Sequence, residues 1–256
     1  KVTFSTVLGN DLLKNFVIKE LESTGVKKKI IIDSTRPTIN KNAITSGNYK
    51  LIKIDTLDNR PISDDILKKL VTSIKSSTAD ALIFSDFRHG IFNQMSIPRL
   101  IRAIPKKTLR VADSQVASRW GNITDFKNFD LISPNEREAR FALADQDSTV
   151  GRLASLLHKN AKFKNLILKL GDRGVFCRTD GNVKNSYFSV DSFATNVLDP
   201  VGAGDALLAY STLSILATGS LVVASILGSL AAACECELDG NVPVQTQNVI
   251  NKINNI

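Results

Sequence analysis

From Ala206 to Cys234 the chain carries no charged side chain. An uncharged run of that length must either cross a membrane or lie buried in a protein core. Ser, Thr and Gly interrupt it, and Thr218-Gly219-Ser220 reads as a helix stop followed by a fresh N-cap. The pattern predicts two buried helices of about a dozen residues each and no membrane span.

The remainder alternates. "VTFSTVLGN", "KKIIID", "YKLIKID", "ALIFSDF", "TLRVADS", "DLISP" and "NLILKLG" read as strands. Helical spacing appears at Asp11 to Thr24, Ile62 to Ser76, Ile97 to Ile104, "NEREARFALA" and Val150 to Asn160. "GVFCRT" and "NSYFSV" read as a hairpin pair, and "STRPTINKNAITSG" as a polar, turn-rich connection. Strands alternating with helices predict an α/β fold, its mostly parallel sheet covered by helices on both faces. A chain of 256 residues, 43% of them hydrophobic, is long enough for one large domain and excludes a disordered or fibrous class. We expect one domain over residues 1–256. Ligands on such sheets sit outside the carboxyl ends of the strands, which directs attention to Asp86, Asp113, Pro134-Asn135 and Gly171-Asp172.

The net charge is +8, but the bases fall in separate short clusters: Lys27-Lys28-Lys29, Lys68-Lys69 and Lys106-Lys107. No basic stripe interleaved with aromatics appears, so these read as solvated faces and no nucleic-acid partner is expected. Cys177, Cys234 and Cys236 lack disulfide-framework spacing, and no second pair or nearby His completes a zinc site. That usage fits a reducing, cytoplasmic setting. Lys1-Val2-Thr3 opens directly into a strand-like run with no leader pattern.

The chemistry concentrates in "DPVGAGDALLAY", Asp199 to Tyr210. Gly202, Ala203 and Gly204 lead into a helix, where glycines let backbone N–H groups converge and the helix N-terminus adds unpaired donors and partial positive charge. Asp205 beside such an anion hole suits a base that takes a proton from an attacking hydroxyl; the plainer alternative is a first-turn acid that favours the helix dipole. In "LKLGDRG", Gly171 and Gly174 follow a strand, as a loop along phosphate or as an ordinary hairpin turn. In "SPNERE", Asn135 and Glu138 share a helix face at (i, i+3), able to organise hydrated Mg²⁺ with its phosphates or to serve as a plain N-cap.

In this order and spacing the three motifs resemble the PfkB/ribokinase family of carbohydrate kinases. "DPVGAGDALLA" is similar to its C-terminal signature, "NERE" to its Asn-x-x-Glu motif and "LKLGDRG" to its nucleotide-binding strand and loop. The middle of the chain most resembles the heptose-phosphate kinase domain of bacterial ADP-heptose synthases, through "STRPTINKNAI", "KIDTLDNRPI" and "IFSDFRHGI". The resemblance implies a ribokinase-like fold with a small β lid drawn from residues 28–55, and transfer of the γ-phosphoryl of ATP to a sugar hydroxyl. It implies Asp205 as base with Gly202, Ala203 and Gly204 as the anion hole. Asn135, Lys169, Gly171, Asp172, Gly174 and Ser229 would contact nucleotide. Arg36, Thr38, Lys41 and Asp86 would face a sugar, a heptose phosphate before a small sugar such as ribose or fructose. Glu138 would organise Mg²⁺, and Asp199 with the Val201 carbonyl would hold K⁺. A homodimer through the lid and a fused nucleotidyltransferase domain are the implied partners.

Several positions depart from the family pattern. The family's opening strand with a sugar-binding Asp, and its Gly-Gly-x-x-x-Asn stretch, have no counterpart here, so either another segment supplies those sugar contacts or this sequence alone phosphorylates nothing. Lys169 stands where Thr is common, Pro200 where Thr is common, and Gln115 where heptose kinases tend to carry Lys. His89 either faces substrate or is exposed, His158 reads as surface, and Trp120 as a plain anchor. The other reading of the whole is a non-catalytic protein that binds nucleotide or sugar phosphate, which the retained Asp205 argues against.

Overall fold

A computed structural model describes residues 1–46, 49–116, 121–180, 187–240 and 242–255. They divide into two compact units, residues 1–78 with 88–105, and residues 79–87 with 106–256.

In the first unit, β1 (Thr3–Leu8), α1 (Leu12–Ser23) and β2 (Lys27–Ile32) form a strand–helix–strand crossover, with β1 and β2 parallel. Asp11 caps α1 by accepting from the Lys14 N–H. β3 (Asn40–Ser46) and β4 (Tyr49–Thr56) form a separate antiparallel hairpin that exposes Ile44, Leu51, Ile52 and Ile54. Thus, within residues 28–55, β2 pairs with β1, while β3 begins inside the stretch read as a turn-rich connection. Most of β3 is exposed, so no apolar alternation marks it; pairing with β4 makes it a strand. α2 (Asp64–Lys75) is capped by Ser63, carries acids in its first turn, and buries Ile66, Leu67, Leu70 and Ile74. Asp64 pairs with Arg99 of α3 (Ile97–Ala103).

The loop after β2 is fixed by polar contacts. The Arg36 Nε donates to Asp33 Oδ2 at 2.8 Å, while its terminal nitrogens donate to the carbonyls of Arg60, Pro61 and His89. Burial opposes the Asp33 carboxylate, but hydrogen bonds from Thr35 and Arg36 hold it below its ordinary pKa. Thr38 is buried; its Oγ1 accepts from the Gly9 N–H and its N–H donates to Asp11 Oδ2.

The second unit holds a six-stranded sheet in the order β10-β9-β8-β7-β6-β5. β5 (Ala81–Asp86), β6 (Leu109–Ser114), β7 (Leu131–Ile132) and β8 (Asn165–Lys169) run parallel; β9 (Val175–Thr179) and β10 (Tyr187–Val190) are antiparallel additions. The helices are α4 (Glu136–Leu143), α5 (Val150–Ala161), α6 (Ala203–Thr218), α7 (Leu221–Cys236) and α8 (Thr246–Asn254). The uncharged run is two 16-residue helices, α6 and α7, split at Gly219 in the left-handed conformation, with Ser220 capping α7 through the Val223 N–H. Val111, Leu131 and Ile167 form one core with Leu207, Leu208 and Ala224 of α6 and α7. Alternation sends Phe84, Ala112 and Ile132 to the opposite face, where Phe126 and Phe129 pack on Phe84. The fold is α/β with a mostly parallel sheet, as the sequence implies. Among the described residues no helix is long and apolar enough to cross a membrane.

The contact of α6 with α7 leaves no room at Gly228, where a Cβ would overlap Ser211 Oγ and lie 3.0 Å from the Leu207 carbonyl. We expect Gly228→Ala to lower unfolding stability by about 1–3 kcal/mol in urea titration, and adding Ser211→Ala to recover part of it. Arg36→Met should cost about 1–3 kcal/mol at neutral pH, because it strips a buried carboxylate of its partner. Asp33 is held below its unfolded-state pKa, so its contribution is present above that unfolded value, about 3.9, and is lost as pH falls through the lower folded value. The gap between wild type and variant should therefore narrow in urea melts below about pH 4 to what the carbonyl contacts of Arg36 contribute; a gap unchanged at pH 3 would show that Asp33 is not its source.

Candidate active site

The carboxyl ends of β5, β6, β7 and β8 bring polar side chains to one edge of the sheet. Asp86 closes β5 in a buried network: its Oδ2 accepts from Ser114 Oγ and from Asn122 Nδ2, each at 2.9 Å. One strand over, Asp113 Oδ2 pairs with Lys169 Nζ at 3.0 Å, with both side chains largely buried. Asn135 follows β7 and bridges to Lys169 through the backbone. It caps α4 in a capping box: Asn135 Oδ1 accepts from the Glu138 N–H at 2.8 Å, and Glu138 Oε2 accepts from the Asn135 N–H at 2.7 Å. The N-cap reading of this motif is therefore realised, and it engages one side-chain oxygen of each residue.

Gly171 to Arg173 make one turn of 3₁₀ helix, and Gly171 and Gly174 both have positive φ. At Gly174 a Cβ would also collide with the backbone of Val190, Asp191 and Ser192, so only glycine fits there. Arg173 of this turn pairs with Glu136 of α4, tying the glycine loop to the Asn-x-x-Glu helix. Asp172 lies exposed in the turn.

Gly202 begins α6 with φ 93°, and its carbonyl accepts from the N–H groups of both Asp205 and Ala206. The Ala203 N–H reaches Pro200 O at a long 3.4 Å, and the Gly204 N–H meets no acceptor among the described residues. Asp205 is exposed in this first turn. Asp199 is buried, and its Oδ1 accepts from the Val201 N–H at 3.1 Å. The N–H groups of Leu198 and Asp199 both donate to Cys236 O, which anchors the signature to the end of α7.

These residues share one electrostatic environment. Burial raises Glu138 to about 7, helped by Asp113 and Asp205 and opposed by Lys169. Burial opposes the Lys169 ammonium, yet Asp113, Glu138 and Asp205 raise its pKa on balance. Glu235, buried on α7, is raised by burial and then by Asp205 and Asp199. The structure therefore gathers Asp205, Gly204, Lys169 and Glu138, and adds Asp113 and Glu235. Asp113 was legible as a strand-end residue; its pairing with Lys169 was not. Nothing in the sequence around Glu235 marks it.

Ser229 lies buried on α7 with no partner for its hydroxyl. Arg36, Thr38 and Lys41 belong to the first unit, where Arg36 and Thr38 are committed to the loop after β2 and Lys41 is exposed on β3. His89 is half-buried there, its ring nitrogen against Asn59 Oδ1 at 3.1 Å; burial and then the charge of Lys41 lower its pKa. Trp120 lies outside the described residues. Among the described residues no group of three or more His, Cys, Asp or Glu could hold a metal by protein ligands alone.

The family model described as pfkB family carbohydrate kinase matches residues 1–246. The bifunctional protein HldE of Helicobacter pylori strain J99 is 26% identical over 239 residues, covering 91% of this chain and 50% of that protein. The Wolinella succinogenes HldE is 24% identical over 212 residues, 79% of this chain and 42% of its own length. The chain thus spans about half the length of the curated relatives it matches. Among solved structures, ribokinase from Giardia lamblia superposes with a TM-score of 0.79 at 16% identity, covering 99% of this chain and 82% of its own. Phosphofructokinase-2 from Escherichia coli in complex with potassium gives 0.80 at 15% identity, covering 99% and 81%. Fold, motif order and family model agree: the chain belongs to the pfkB family of carbohydrate kinases.

Proposed function

We propose that this chain transfers the γ-phosphoryl of ATP to a hydroxyl of a sugar, a heptose phosphate being the preferred class. The observation that carries the reading is the first turn of α6: an unengaged Gly204 N–H, a helix N-terminus and the exposed Asp205, beside the buried Lys169, Asp113 and Glu138. The Gly202, Ala203 and Gly204 backbone stabilises the charge of the phosphoryl group in flight, and Asp205 takes the proton of the attacking hydroxyl. Gly171, Asp172 and Gly174 lie along the nucleotide, with Lys169 and Asn135 toward its phosphates and Ser229 toward its base.

The donor chemistry fits Mg²⁺ at Glu138, whose Oε1 is not used by the capping box; phosphate and water would complete the shell. Bound there, the ion neutralises phosphate charge. Asp199 and the Val201 carbonyl suit a K⁺ ion. The Helicobacter relatives support the heptose phosphate, and the cationic Lys41, exposed on the hairpin, suits an anionic acceptor. The likeness to HldE, a bifunctional protein, supports a fused nucleotidyltransferase. The exposed Ile44, Leu51, Ile52 and Ile54 support pairing of the hairpin with that of a second copy.

Mg-ATP or Mg-ADP at millimolar concentration should raise the melting temperature, by mass action on the native state; no shift would count heavily against nucleotide binding. In the full-length protein, Asp205→Asn should lower kcat by about 10²–10⁴-fold while leaving nucleotide affinity nearly unchanged. Near-normal turnover in that variant would reduce Asp205 to a helix-start acid. Among acceptors, phosphorylated seven-carbon sugars should give the highest kcat/KM; a clear win by an unphosphorylated hexose would move the substrate class.

A further inference from the structure

The register of the sheet gathers three polar side chains on one face. Val111 pairs with Leu131 and Ala112 with Ile132, which sets Asp113 beside Ser133. Asn135 bridges to Lys169. Alternation along each strand puts Asp113, Ser133 and Lys169 on the face that Val111, Leu131 and Ile167 share with α6 and α7. A dry face thus turns polar at its carboxyl edge. Two of its atoms lack partners although their residues are almost wholly buried: Asp113 Oδ1 and Ser133 Oγ. Buried polar atoms left unpaired in this way ask for a ligand or water.

The Lys169 ammonium is aimed at α6. Nζ lies 3.3 Å from where a Cβ on Gly204 would stand, so it sits against the second residue of the helix. It donates to Asp113 Oδ2, and an ammonium carries three protons to give.

We infer that Lys169 is a catalytic residue: its ammonium, held by Asp113, supplies the fixed positive charge that meets the transferring phosphoryl group at the N-terminus of α6. The inference rests on the kinase reading and assigns one residue a role within it. As the sugar oxygen bonds to the γ-phosphorus, the bond from that phosphorus to the bridging oxygen of ADP breaks and the hydroxyl proton passes to Asp205. Lys169 stays protonated throughout and acts by charge and hydrogen bonding. When the ammonium turns to phosphate, the Ser133 hydroxyl is the neighbouring donor for Asp113.

The competing role is structural, with Lys169 serving only to neutralise Asp113. Three variants of the full-length protein separate the two: Lys169→Met, Asp113→Asn and the double. Lys169→Met should lower kcat by about 10²–10³-fold, the effect of losing one oxyanion donor, with the KM for the sugar changed by less than about threefold. Asp113→Asn keeps the cation and should cost less than about tenfold. The double variant removes both charges together, leaving neither buried and unpaired, so it should fold even where Lys169→Met does not. If it stays as slow as Lys169→Met, the catalytic role stands. If its kcat returns to within about threefold of wild type, Lys169 only neutralises Asp113 and the inference is overturned. The kinase reading is tested separately by wild-type turnover: with no phosphoryl transfer from ATP to any sugar, that reading falls and this one with it, whereas a normal wild type with a fast double variant sinks this one alone.

Discussion

The close approach of α6 to α7 is the constraint on which the site depends. At Gly228 the two helices leave no space for a side chain, and Ser211 Oγ reaches across to the Ala224 carbonyl at 2.9 Å. Both helices then press on Val111, Leu131 and Ile167 of the sheet. Buried against each other and the sheet, their inward faces tolerate no charge; the outward Leu213, Leu216, Val222 and Val223 are apolar although exposed, and burial does not explain them. The charges are relegated to the ends: Asp205 to the first turn of α6, Glu235 to the last turn of α7. Packing chosen for the core therefore also concentrates the titratable groups where the backbone donors of α6 emerge.

That concentration is unbalanced. Asp113 and Asp205 act on Glu138, Asp205 and Asp199 act on Glu235, and Lys169 is the cation beside Asp113, Glu138 and Asp205. Glu138 and Glu235 both respond with raised pKa values, burial being the first cause and neighbouring carboxylates the second. A cluster so poised lowers its energy when positive charge arrives. In the proposed reaction Mg²⁺ accompanying ATP supplies that charge, and a triphosphate without its cation would meet repulsion from the same carboxylates.

The legibility of this arrangement follows the range of the interactions. Local signals were readable: the stop at Gly219, the N-cap at Asn135, the glycine loop at Gly171 to Gly174, and the α/β alternation. Each is set by residues within a turn or two of one another. What escaped depends on partners far along the chain. The Lys169–Asp113 pair joins residues 56 positions apart. β3 is a strand by virtue of β4, with no apolar stripe to announce it. Arg36 and Thr38 are expected at the substrate through the resemblance of "STRPTINKNAI" to the heptose-kinase segment. In the fold they are spent on carbonyls and on Asp33, Asp11 and the Gly9 N–H, contacts that no local pattern specifies.

The two glycines of Gly-Ala-Gly-Asp answer different demands. Gly202 adopts φ 93°, a conformation in which a Cβ is strained, so its glycine is fixed by backbone geometry. Gly204 has no such φ; it stands inside α6, where glycine is otherwise unfavourable. What singles it out is the Lys169 side chain, whose Nζ, Cδ and Cε all approach within 4 Å of the space a Cβ would take. A shorter residue at position 169, such as the threonine common in the family, would leave that space open, and alanine at 204 would then meet nothing from this direction. With lysine present, the empty side of Gly204 becomes the seat of an ammonium against the first turn of the helix. The space left at Gly204 and the burial of a cation at Lys169 thus fit one another, beside the backbone donors that Gly204 already offers.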